Sequence, residues 1–160
     1  MEAAEKGDTG LKRCEVRAVK RRLEMYNDLL EMAAEKDREA ILLQEKYENL
    51  AGAKAISYAP QNGGSGREKT SIYHEIFAEQ LEADRKAAKY RLEAKRIERF
   101  IGQIGDTQET KLILERAYLK GDRYWDIGED LGYTKDGIRK KIDRCLEDVP
   151  ASVAEASQLI

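Results

Sequence analysis

Residues 134–144 set Lys135, Arg139, Lys140, Lys141 and Arg144 among Thr134, Asp136 and Asp143, a cation density that one short helix would carry. Ammonium and guanidinium groups at helical spacing neutralise phosphates, and Arg or Lys also donates to the guanine edge in the major groove. The eight residues Thr134, Lys135, Asp136, Arg139, Lys140, Lys141, Asp143 and Arg144 are therefore the expected DNA-contact set, with Lys135, Arg139 and Lys140 at base edges and Lys141 and Arg144 near phosphates.

The elements that would position them are readable on either side. Trp125, Ile127 and Leu131 fall on one face of a short helix, with Leu131 as its core anchor, and Gly128 lets a second helix cross closely. Gly132 follows, where a left-handed turn is cheap for glycine. Thr134 is placed to cap the second helix, which buries Ile138, Ile142 and Cys145 or Leu146 and leaves Lys135, Asp136, Arg139, Lys140 and Asp143 outward. Two helices joined this way form a helix-turn-helix, whose second helix enters the major groove.

Catalytic alternatives are weak. Gly63 to Thr70 has the glycines and the Lys-Thr pair of a phosphate-binding loop, but Glu68 stands where the second glycine is required and no strand precedes it. His74 is the only histidine and has no evident nucleophile beside it. The carboxylates lie among Lys and Arg as ion-pair partners. Cys14 and Cys145 are far apart without a CxxC partner, so neither a disulfide nor a zinc site is supported. The expectation is a non-enzyme with no catalytic residue, no cofactor and no metal.

With 38% charged and 7% aromatic residues and two prolines in 160, the composition favours long solvated helices and an all-α fold. The net charge of −2 excludes a generic nucleic-acid coat, so DNA affinity must come from local patches. Besides the patch at 135–144, basic residues cluster at 12–22 and 85–99, where they read as solvated helix faces. No apolar run is long enough for a bilayer and the N-terminus is too acidic for a secretory leader, which points to the cytoplasm and to no membrane partner.

From about Leu11 to Ala51 the chain lacks proline and glycine, predicting one helix of about 60 Å. Its seams are Leu23, Leu30 and Ala51, and Tyr26, Ala33, Ala40 and Tyr47. Turn formers then predict a mobile loop at about 53–70. A second long helix is expected from Ser71 to Ile104, with Ile76, Ala83, Tyr90, Ile97 and Ile104 seven apart and Ala87, Ala94 and Ile101 beside them. Residues 1–104 thus predict an antiparallel, coiled-coil-like hairpin, although the same seams also suit a homodimer through the long helices. A three-helix head at 105–149 follows, with Asp106 and Glu109 as capping pair and a helix ending at Gly121; residues 150–160 read as a flexible tail.

The head, from Arg116-Ala-Tyr-Leu through Trp125-Asp-Ile and Gly132-Tyr-Thr to Ile138, Ile142, Arg144 and Leu146, resembles region four of bacterial sigma factors. Together with the Gly63-Gly-Ser65 loop it is similar to a phage-associated family of small sigma-like regulators. The resemblance implies promoter recognition by Lys135, Asp136, Arg139 and Lys140, contact with RNA polymerase, and transcription control in phage or prophage. Gly128 and Gly137 depart from that pattern, Gly137 at an expected cost of about 1 kcal/mol in the helix. Two other classes fit the helical organisation: a packaging protein resembling a small terminase subunit, and a helical adaptor that binds no DNA.

Overall fold

The structure is a computed structural model and describes residues 10–56 and 65–160. Helix is the regular secondary structure throughout the described residues, joined only by one isolated antiparallel bridge between Gly10 and Pro150. The all-α expectation holds.

Seven α-helices are seen among the described residues: α1 (Arg13–Glu24), α2 (Tyr26–Ile56), α3 (Ser65–Ile104), α4 (Gln108–Leu114), α5 (Tyr124–Leu131), α6 (Lys135–Glu147) and α7 (Ala151–Ala156). The single helix expected over 11–51 is broken at Met25, whose N–H reaches back three residues to the Arg22 carbonyl at 3.2 Å. The apolar spacing explains the break. Leu23, Tyr26 and Leu29 are all buried and follow one another at intervals of three, and a tightened turn holds three such residues on one side. The helix expected from Ser71 begins at Ser65, in a proline-free stretch that can propagate it. The middle of the expected loop, 57–64, lies outside the described residues.

Contacts divide the described residues into two units, 10–29 with 92–160 and 30–91. In the first unit, α1 and the end of α3 join α4 to α7. Its core is Val19, Leu23, Phe100, Ile113, Leu114, Ile127, Ile138, Ile142 and Leu146, all essentially sealed from solvent. Burying a side chain of this size contributes about 1.5–3 kcal/mol, which makes this cluster the dominant stabilising feature of the unit.

Residues 150–160 are not a loose tail. Pro150 starts α7, Ala154 is fully buried, and Gln158 takes a left-handed backbone (φ 57°) that turns Leu159 inward to 5% exposure. The Leu159 N–H closes the turn on the Ala154 carbonyl at 3.1 Å. The other expected stop signals behave as read: Gly121 and Gly132 both have positive φ, 71° and 79°. The α4 cap differs. Thr107, rather than Asp106, caps it, its hydroxyl accepting from the Thr110 N–H at 3.1 Å.

In the second unit, α2 and α3 bury mainly small residues, Ala33, Ala40, Ala83 and Ala87, with Ile76. Tyr47 meets Tyr73 edge to face with ring centroids 5.1 Å apart, and Asp37 pairs with Arg91. The two contacts run in opposite directions along the helices. Leu30, expected in the first seam, is 40% exposed.

Candidate nucleic-acid interface

Between α5 and α6 the chain reverses over Gly132 to Thr134. The Tyr133 N–H reaches back to the Gly128 carbonyl at 2.8 Å, and a Cβ on Gly128 would lie 2.4 Å from the Tyr133 carbonyl oxygen. Glycine at 128 is required by the approach of the turn itself. Thr134 then accepts the Gly137 N–H through Oγ1 at 3.0 Å. Gly137 lies against this cap, since a Cβ there would come within 3.2 Å of the same oxygen.

The hydrophobic back of α6, Ile138, Ile142, Cys145 and Leu146, is buried, both of the last two residues included. This seats the helix and decides which side chains remain available. Lys135, Asp136, Arg139, Lys140 and Arg144 are exposed. Asp136 and Arg139 pair one helical turn apart at 3.3 Å, so the guanidinium is held in place by a neighbour that an incoming acceptor must displace. Lys141 is half-buried with its ammonium 4.4 Å from the Tyr133 ring centroid, a cation–π contact that draws it toward the turn.

Asp143 is only partly outward, its side chain 35% exposed. It is half-buried and ion-paired with Lys20, because α1 packs along this flank of α6. Six of the eight expected residues are therefore exposed on the turn and helix surface, while Lys141 and Asp143 are half-buried and engaged by Tyr133 and Lys20. Sequence reasoning missed the α1 contact. Its signal was present in the apolar spacing of Val16, Val19 and Leu23, which are buried, while the surrounding basic cluster read only as a solvated face.

Trp125 corrects another expectation: it is 65% exposed, while Ile127 from the same helix is fully buried and Leu131 is half-buried. The indole lines an open cavity of about 640 Å³ with Glu24, Asn27, Tyr118, Tyr124 and Lys135. Tyr118, which also lines it, has its hydroxyl buried, and desolvation followed by the neighbouring Tyr124 drives its pKa far upward. Trp125 and Lys135 thus contribute an exposed aromatic ring and a cation to the same cavity.

Arg116 ties α5 to the segment before it. It lies in a widened turn at Glu115–Leu119, where the Lys120 N–H bonds five residues back to the Glu115 carbonyl. Its Nε meets Asp122 at 2.7 Å and its Nη1 meets Asp130 at 2.6 Å, clamping the approach to α5 and its last turn together. Arg116 is a scaffold residue here, with its side chain only 17% exposed.

Among the described residues no cluster of His, Cys, Asp or Glu is placed to hold a metal ion, and no helix is long and apolar enough to cross a membrane. Compared with protein-family models, with curated proteins and with solved structures, the chain shows no match.

Proposed function

We propose that this chain is a DNA-binding regulator of transcription, encoded by a phage or prophage and acting in the cytoplasm of the bacterial host without catalysis. In this reading α5 and α6 are a helix-turn-helix, α6 is the reading helix, and α2 with α3 forms an antiparallel hairpin that carries the head. One observation carries the proposal: Lys135, Arg139, Lys140 and Arg144 stand exposed on a capped helix whose opposite face is fully seated in a core.

That arrangement suits double-stranded DNA because a rigid helix can enter the major groove while its cations divide between base edges and phosphates. Arg139 exchanges Asp136 for a guanine edge, Lys135 and Lys140 flank it, and Lys141 and Arg144 approach the backbone. Thr134 has its hydroxyl oxygen engaged in the cap and retains the proton to donate. The resemblance of the head to region four of sigma factors supports a promoter as the target and RNA polymerase as a second partner. Because the net charge is only −2 and Asp136 dilutes the patch, attraction is local and the grip modest.

The deciding experiment is selection of bound duplexes from a random DNA pool at about 50 mM salt, where electrostatic affinity is high. A convergent motif is expected, and Arg139→Ala is expected to lose about 1–3 kcal/mol and to relax preference at one base pair. A pool that never converges overturns the proposal.

A further inference from the structure

The second unit is built inside out. Its buried seam is mostly alanine, while Phe77 (61% exposed), Leu81 (43%) and Ala88 line the outside of α3, and Leu92 (48%) continues the register on the same helix. From Phe77 to Leu92 the stripe covers 15 residues in four turns, so at about 100° per residue it drifts by about 60° and stays on one side of α3.

Two further properties of this stripe point to its occupant. The stripe is palindromic in spacing about the Asp84–Arg85 bond: Leu81 and Ala88 lie equally far from it, and so do Phe77 and Leu92. The charges divide at the same bond. Across the span of the stripe, 77–84 contain Glu79, Glu82 and Asp84 without Lys or Arg, and 85–92 contain Arg85, Lys86, Lys89 and Arg91 without Asp or Glu; within one chain Lys86 pairs with Glu82 and Arg91 with Asp37, and Glu93 ends the basic run.

We propose that a second copy of this chain docks on the exposed face of α3, with the two α3 helices antiparallel across a two-fold axis at Asp84–Arg85. Leu81 of each copy meets the small Ala88 of the other, and Phe77 meets Leu92. Asp84 faces Arg85 twice, Glu82 reaches Arg85 and Lys86, and Glu79 reaches Lys89. A parallel pairing would set acid against acid and base against base along the same helix, so charge selects the direction while the stripe selects the register. A self-complementary patch of this kind closes at two copies. The dimer is independent of the DNA reading, since its residues lie on α3.

The test uses the full chain and multi-angle light scattering. At about 100 μM the expected mass is twice the chain's 18.2 kDa. Asp84→Arg is expected to weaken the dimer about tenfold, and the double variant D84R/R85D to restore it, because reversed partners again face opposite charges. Leu81→Glu is expected to give monomer with unchanged helix content by circular dichroism, since the position is exposed in the single chain. A monomer at that concentration overturns the proposal. So does a dimer whose strength ignores Leu81→Glu, or a D84R/R85D variant no stronger than D84R.

Discussion

Lys20 of α1 is ion-paired with Asp143 of α6, so the helix carrying the candidate interface is braced along one flank by the N-terminal helix. The pair is partly solvated, with side chains 22% and 35% exposed, and a pair of that kind is worth at most about 1 kcal/mol. Its larger effect concerns charge. Asp143 is the carboxylate one helical turn beyond Arg139, and Lys20 offsets it.

Asp143→Asn is therefore expected to leave the fold intact, lowering stability by no more than about 1 kcal/mol in urea titrations. The same variant frees Lys20 and removes a negative charge beside the interface. Under the proposed function, DNA affinity measured by fluorescence anisotropy rises a few fold at low salt and converges with the parent at high salt. A drop in affinity would show that Asp143 makes a favourable contact itself.

Glycines 128 and 102 separate a packing demand from a propensity cost. A Cβ at 128 would collide with the Tyr133 carbonyl, which is backbone and cannot swing aside, so Gly128→Ala is expected to destabilise by about 1–3 kcal/mol. Gly102 lies inside α3 and a Cβ there meets nothing within 4 Å, so Gly102→Ala is expected to stabilise by about 0.5–1 kcal/mol. Thermal melts of the two variants read both signs. A stable Gly128→Ala protein would mean that the turn between α5 and α6 is wider than described.

Much of the fold was legible because one physical signal, apolar spacing, dominates it. Of the seam read in α3, Ile76, Ala83, Ala87, Ala94, Ile97 and Ile101 are buried while Tyr90 and Ile104 are half-buried, and Ile138, Ile142 and Leu146 likewise seat α6. Gly121 and Gly132 were legible for a different reason, since a left-handed residue at a helix end is nearly specific to glycine. What escaped depends on partners distant in the chain. Nothing local distinguishes Lys20 from the other basic residues of α1, and only the packing of α1 on α6 gives it Asp143. Leu159 escaped because its burial depends on a left-handed Gln158, a conformation that glutamine seldom adopts. The cations of the candidate interface were legible as a set, while the ring beneath Lys141 and the carboxylate beside Arg139 required the turn geometry.

Trp125 gives a direct optical test of the interface because it is the only tryptophan in the chain. At 65% exposure, Trp125→Ala is expected to change stability by no more than about 0.5 kcal/mol, whereas a core indole would cost about 3–5 kcal/mol. Its emission is expected near that of a hydrated indole. Addition of duplex DNA is expected to quench or shift it, because Lys135 lines the same cavity and would bring a bound strand beside the ring. Emission insensitive to saturating DNA would place binding away from α5 and the start of α6.

The two thiols differ in accessibility, which allows the first unit to be followed with a thiol reagent. Cys14 is exposed, while Cys145 is buried with its Sγ donating to the Ile104 carbonyl at 3.4 Å. Burial raises the Cys145 pKa from 9.0 to about 11, with Asp106 and Asp148 adding to the shift. Tyr26 is raised from 10.0 to about 12 by burial and by its hydrogen bond to Glu98. In both cases folding favours the protonated, neutral form. The stability this provides is complete below the unfolded pKa values and is lost as pH rises through the folded ones, so unfolding midpoints are expected to fall between pH 9 and 12. A disulfide reagent at pH 8 is expected to label one thiol per chain rapidly and the second only in denaturant. Replacing Cys14 by Ser should abolish the rapid phase. Rapid labelling that survives this replacement would show that α6 lifts from the core on the reagent's timescale, and the alkaline transition would then report local opening instead of global unfolding.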